Sequence, residues 1–265
     1  MGKIDFLLCS TFHDPEFRLK DLIKSTLPKL NELFVKIIVC LTPYTPDEVH
    51  SLLLSEGFNS IVEPSERNID TYRTALKTTI EYINDSEIQR IFHIDFDRLI
   101  HWINKYPEEL TNILNNNINE EYLHIGRTTR AFNTHPKTQK ETEIIVNEFG
   151  SKILGFEDTK DLISVCYIFS KNLGKKILKI NNFTTTGFYG SWPIYFWNFA
   201  RSKSYIEVEG HEWETPDRFK KEIGEIGFER WKRQFQSAEE WHKRVNVLHD
   251  CLLEMSNSAK FEFKK

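Results

Sequence analysis

The sequence holds little cysteine: four residues in 265, Cys9, Cys40, Cys166 and Cys251, widely scattered and without a C-x-x-C pair. That spacing excludes a disulfide framework and a cysteine zinc site. Three of the four stand inside apolar runs, where a reduced core thiol belongs. No apolar run approaches the roughly 18 residues that cross a bilayer. Neither sign of charge dominates. Lys and Arg total 35 against 39 Asp and Glu, a net charge of -4, which argues against a generally basic nucleic-acid binder. Internal repeats, low-complexity segments and linkers of biased composition are all lacking. With 40% hydrophobic and 28% charged residues, the chain buries a core and does not remain disordered. The opening residues, Met1 to Asp5, carry an acid where a secretory signal needs a longer apolar stretch, so a cytoplasmic location is expected.

The first half alternates between short apolar runs and amphipathic segments. Residues 4–9, 35–41, 60–62, 91–94 and 122–125 read as strands. Between the first two, Leu19, Leu22, Ile23, Leu27 and Leu30 recur at helical spacing. Asp14-Pro15-Glu16 supplies an N-cap and a first-turn proline for that helix, and Pro28 is expected to bend or shorten it. Thr45-Pro46-Asp47-Glu48 has the form of a capping box, with Gly57 as a stop. Ile69, Tyr72, Leu76, Ile80 and Ile83 mark a further helix. Strands and helices in strict alternation build a parallel sheet with right-handed crossovers, so the fold class is α/β.

The second half is less regular. Residues 162–169 and 205–208 read as strands, separated by an aromatic segment over 183–199. From Phe219 the pattern is helical. Phe228, Trp231, Phe235, Ala238, Trp241, Val245, Leu248 and Leu252 form one stripe, expected to pack against the sheet. Residues 261–265 read as a loose tail.

The strongest chemical signal is Asp95-Phe96-Asp97, directly after the fourth apolar run. Ligands of a parallel sheet bind beyond the carboxyl ends of its strands. Two carboxylates at i and i+2, where a strand breaks, can hold a hard divalent cation whose shell phosphate oxygens complete. The structural reading of the same residues is a pair of acids capping a helix that begins near Leu99. A bare D-x-D is common, so it is the position after a strand, deep in alternating β and α elements, that favours function.

Here the sequence resembles the GT-A fold of nucleotide-diphospho-sugar glycosyltransferases, family-two-like members above all. Ile91-Phe92-His93-Ile94-Asp95-Phe96-Asp97 has the form of that family's D-x-D segment, and Glu66-Arg67-Asn68-Ile69-Asp70-Thr71-Tyr72-Arg73 is similar to the segment opening the helix before it. The resemblance covers residues 4–132 best. It implies a three-layer, Rossmann-like sandwich with a mostly parallel central sheet and a helical C-terminal segment, organised as one domain. Residues 1–132 would be the nucleotide-binding half, 133–217 the acceptor half and 218–255 the C-terminal helices. It further implies a glycosyltransferase-like enzyme that takes a sugar from a nucleotide-diphosphate donor to an acceptor, with Mn2+ or Mg2+ held by Asp95 and Asp97. Thr11 and His13, at the end of the first strand, and Arg67, Arg73 and Asp95 would contact the nucleotide, the guanidiniums suiting paired phosphate oxygens.

Two departures stand out. The loop Thr42-Pro43-Tyr44-Thr45 lacks the acid with which many such proteins grip the base or ribose, and the helix opening at Gly187 lacks the late acid that serves as catalytic base. The loop over 209–217 concentrates an imidazole, an indole and several acids after the last strand. From it His211 is expected as a metal ligand, and Glu212 or Glu214 as the base. Trp213 is expected to pack. His124 and Arg127 flank the fifth strand and are weaker candidates for the same cleft. Two other readings remain open: a non-catalytic sugar-nucleotide binder, and a phosphatase similar to the haloacid dehalogenases, with Asp95 as nucleophile. In the latter, Arg98-Leu99 stands where that family places Gly-Thr, and the motif falls at the fourth strand instead of the first.

Overall fold

The computed structural model describes residues 6–83, 90–116, 119–180 and 183–260. The expected start of the first strand at residue 4 and the tail over 261–265 lie outside them. The strands are β1 (Phe6–Phe12), β2 (Lys36–Leu41), β3 (Asn59–Val62), β4 (Arg90–Asp95), β5 (Tyr122–Arg127), β6 (Tyr167–Ser170) and β7 (Lys203–Val208). They form one seven-stranded sheet in the order β3-β2-β1-β4-β6-β5-β7. Every pairing is parallel except those of β6, which runs antiparallel to both β4 and β5.

The helices are α1 (Lys20–Leu33), α2 (Asp47–Ser55), α3 (Asn68–Ile83), α4 (Phe96–Lys105), α5 (Pro107–Asn115), α6 (Thr129–Thr134), α7 (Lys137–Leu154), α8 (Lys171–Leu178), α9 (Phe188–Phe199), α10 (Lys220–Ile226), α11 (Phe228–Lys232) and α12 (Ala238–Ser258). Two 3-10 turns, Thr215–Phe219 and Arg233–Gln236, interrupt the last stretch. The sheet is covered on both faces, which is why β1, β2 and β4 are buried along nearly their whole length and do not alternate. In β1, Phe6, Leu8 and Phe12 join α1, α4 and α5 in one core, while Leu7 and Cys9 join α3, α8 and α9 in the other. A third cluster ties α12 to α7 and α9 through Cys251, Met255, Val146 and Ile194. All four cysteines are free and buried, and burial pushes the Cys9 thiol up to about 12. Among the described residues no helix is long and apolar enough to cross a membrane. The architecture is the expected three-layer α/β sandwich with a helical C-terminal segment.

Several local expectations are corrected. Residues 162–166 are buried but form no strand, and Val165 adopts φ 54; only Tyr167–Ser170 pairs. Asp14 does not start α1. Its buried carboxylate accepts the N–H groups of Arg18 (3.1 Å) and Leu19 (2.9 Å) and so fixes the turn leading into the helix. Pro28 sits inside α1, which continues to Leu33. The capping box is not made. Pro46 is the N-cap, and the Thr45 hydroxyl turns to the Thr42 hydroxyl (3.1 Å) and the Phe12 carbonyl (3.5 Å). The aromatic stripe is no single helix face. Phe228, Trp231 and Phe235 pack on Trp213, with ring centroids 6.4, 5.2 and 5.1 Å away, and α12 lays Cys251 and Met255 on α7 and α9, not on the sheet.

Candidate functional site

Parallel register brings the carboxyl ends of β1, β2 and β4 level, with Thr11 opposite both Cys40 and Asp95. Beyond those ends opens a cleft of about 280 Å³. Thr11 and His13 from the end of β1, Thr42 and Tyr44 from the loop after β2, Tyr72 from α3, and Asp95 and Asp97 at the β4–α4 junction all line it. Asp95 is the last residue of β4 and the N-cap of α4, yet its side chain makes no capping bond. The helix starts at Phe96, earlier than expected, so Asp97 lies in its first turn. Asp95 Oδ1 instead accepts the Thr11 hydroxyl at 3.0 Å and the Tyr72 hydroxyl. Burial pushes the Asp95 carboxyl up to about 6, against the pull of the Arg98 guanidinium.

Asp97 is engaged differently. One oxygen accepts the Arg98 N–H at 2.9 Å and the other a guanidinium N–H of Arg218 at 2.6 Å. Arg218 also donates to the His13 carbonyl at 2.6 Å and stands 3.8 Å from Asp14. His13 Nδ1 lies 2.8 Å from the Thr42 hydroxyl, and its ring faces Tyr44 edge-on. Burial, then the charge of Arg218, lowers its pKa.

A second cavity, of about 170 Å³, shares Asp95 and Tyr189 with the cleft and is also lined by Arg98, Glu143, Glu214 and Arg244. Glu214 approaches Arg98 Nε at 3.9 Å, too far for a hydrogen bond. Both that nitrogen and Glu214 Oε2 are buried without a partner.

Of the residues singled out from sequence, the fold gathers Thr11, His13, Asp95 and Asp97 around one cleft, with Glu214 on the adjoining cavity. The others lie elsewhere. Arg67 is half exposed, donates to the Phe183 carbonyl (3.0 Å) and is 3.8 Å from Asp70. Arg73 donates to the carbonyls of Leu178 (2.9 Å) and Ile180, strapping α3 to the end of α8. His211 is fully buried with its ring edge-on to Trp102 at 4.6 Å, and burial drives its pKa well below the usual value. Glu212 accepts from Arg130 (2.7 Å) and Tyr106 (3.1 Å) and lies 3.4 Å from His101. His124 bonds the Tyr122 hydroxyl and the Asp161 carbonyl, both at 2.8 Å, and Arg127 is sealed among carboxylates. Sequence reasoning missed Arg218, Tyr72 and Arg98. The signal for Arg218 was electrostatic: a cleft lined by acids needs a cation before it accepts a phosphate.

The expected metal shell of Asp95, Asp97 and His211 does not fit this arrangement. Among the described residues no three His, Cys, Asp or Glu side chains converge as a metal site. Asp97 is already committed to Arg218, and His211 is walled in by Trp102.

Sheet order, the single reversed strand and a cleft at the strand ends define a GT-A-like fold. No family model matches the sequence, and no curated protein matches it significantly. Solved structures do. Glucosyl-3-phosphoglycerate synthase from Mycobacterium tuberculosis in complex with UDP superposes with a TM-score of 0.55 at 11% identity, over 98% of this chain and 82% of that one. The same enzyme with phosphoglyceric acid gives a TM-score of 0.50 at 12% identity, over 77% and 70%. At these identities the likeness is one of fold.

Proposed function

We propose that the chain is a glycosyltransferase-like enzyme that binds a nucleotide-diphosphate sugar and passes the sugar to an acceptor hydroxyl. The observation that carries this reading is the cleft at the ends of β1, β2 and β4, where Thr11, His13 and Tyr44 surround a space sized for a nucleoside, beside two carboxylates. Residues 1–132 are its nucleotide-binding half, 133–217 its acceptor half and 218–255 its helical closure. The UDP-bound neighbour supports the donor class and leaves base and sugar open.

Of the two candidate bases, Glu214 is favoured over Glu212. Glu212 is locked to Arg130 and Tyr106, which hold its carboxyl below the usual range against burial, whereas Glu214 has an uncommitted oxygen on the cavity next to Asp95. Glu214 takes the proton of the acceptor hydroxyl as its oxygen attacks the anomeric carbon. The bond to the diphosphate breaks, and its electron pair leaves with the diphosphate. No step is assigned to Mn2+ or Mg2+: Asp95 and Asp97 line the cleft, but Asp97 is held by Arg218 and His211 lies in the core.

The phosphatase reading needs Asp95 as an open, ionised nucleophile. Two hydroxyl donors already occupy Oδ1, and Arg98-Leu99 stands where that family places Gly-Thr, which speaks against it. The non-catalytic binder is favoured by one observation, the engagement of Asp97 by Arg218. Incubation with a panel of nucleotide sugars, with nucleotide diphosphate release as the readout, separates the readings. Release from at least one donor is expected. Tight diphosphate binding without turnover of any donor would establish the binder.

A further inference from the structure

We propose that Arg218 is the counter-cation of the donor's diphosphate, bridging it to Asp97 where a divalent ion would otherwise stand, so that the cleft binds a nucleoside diphosphate without metal. The proposal rests on the reading of the cleft as a nucleotide site.

Charge sets the problem. Glu66, Asp95 and Asp97 line the cleft, and none of its described lining residues is Lys or Arg. A diphosphate entering that field brings more negative charge and needs a cation at the point of contact. Arg218 is that cation by position. A neighbouring hollow, lined by Arg18 and Arg218, shares His13 and Asp97 with the cleft, so the guanidinium stands at the seam between the two. Arg18 is already paired with Glu16 and Glu222.

Arg218 is also held in place before any ligand arrives. Asp97 and the His13 carbonyl each take one of its N–H groups at 2.6 Å, Asp14 lies 3.8 Å away, and the Phe12 ring lies 5.8 Å below the guanidinium carbon. Its side chain is only 14% exposed. The planar fork keeps N–H groups beyond those two for phosphate oxygens, and guanidinium suits paired phosphate oxygens better than ammonium does. A metal ion on Asp97 would need the same carboxylate at about 2.1 Å, within a few ångströms of a fixed positive charge. It would have to compete with Arg218 for Asp97.

The test measures UDP binding by titration calorimetry in EDTA and in Mn2+, for the unmodified protein and for Arg218→Gln and Arg218→Lys, with circular dichroism as the check on folding. The unmodified protein should bind UDP equally in the two buffers, within about twofold. Arg218→Gln should lose about tenfold or more in EDTA and regain part of it with Mn2+, because Asp97 is then free; Arg218→Lys should fall between. Binding by the unmodified protein that strengthens about tenfold or more with Mn2+ overturns the proposal and leaves the nucleotide reading intact. Failure to bind UDP, ADP or GDP in either buffer overturns both.

Discussion

Arg127 is buried and Arg98 part-buried, both among carboxylates, and the two neighbourhoods are finished to different degrees. Arg127 donates to Asp161 at 2.6 and 2.8 Å and to Glu143 at 2.7 Å, with the Phe132 ring 4.7 Å from its guanidinium carbon. Asp161 accepts from Asn147 as well, at 3.0 Å. Arg98 has the Ser164 carbonyl and then, 3.9 Å from its Nε, a glutamate oxygen that bonds to nothing. The carboxylates repeat the contrast. Burial works against the charge of both Asp161 and Asp95; Arg127 outweighs it and holds Asp161 well below the usual range, whereas Asp95 is left raised to about 6. A saturated network fixes a fold. A network with buried atoms unpaired on a cavity wall still has a donor and an acceptor to offer.

The contrast breaks most readily at Arg127. Arg127→Met strands Asp161 and Glu143 and should destabilise the protein by about 3–5 kcal/mol, read as a lower urea midpoint. An unchanged midpoint would mean that the sealed network does not hold the fold. Glu214→Gln should do the reverse: turnover down about a hundredfold, some 2.7 kcal/mol in the barrier, with the urea midpoint nearly unmoved. Were Glu212→Gln to cause the larger loss instead, the base would lie on the other side of the loop.

Asp95→Asn should stabilise the unliganded protein by about 1–2 kcal/mol at pH 7 while weakening nucleotide binding. The sign follows from linkage. The folded carboxyl titrates at about 6, above its unfolded value near 3.8, so between those values the native state binds more protons and stability falls as pH rises. Because the buried histidines titrate alike in both proteins, the test is the difference: the urea midpoint of Asp95→Asn should rise relative to that of the unmodified protein as pH goes from 4 to 7. Identical profiles would refute the raised carboxyl.

Much of the first half was legible because parallel strands buried on both faces write themselves as apolar runs, and β1, β2, β4 and β5 lie where those runs stand. The same rule misled at residues 162–166. Leu162, Ile163, Val165 and Cys166 are as buried as any strand, yet apolarity reports burial and not pairing. The stripe from Phe228 to Leu252 was read across a break that Ser237 announces, its hydroxyl accepting the Glu240 N–H at 3.2 Å. At the site, Asp95 and Asp97 were legible from their place after a strand. Arg218 was not, since its bond to Asp97 spans 121 residues and only the folded chain brings the two together. Arg73 and His211 were chosen for residue type, and packing assigned them to a strap and a core.

The reversed strand β6 has a consequence for how the chain survives its own synthesis. β4 and β5 are not neighbours: four residues, Tyr167–Ser170, stand between them and pair with both. They follow both strands in sequence. A growing chain therefore carries one edge of β4 bare, and β5 with no strand beside it, until β6 arrives; β7 comes later still. Bare strand edges invite pairing with other chains. A proline at Ile168, which loses a ladder N–H in a strand paired on both sides, weakens two edges at once and turns a local lesion into a route to aggregation.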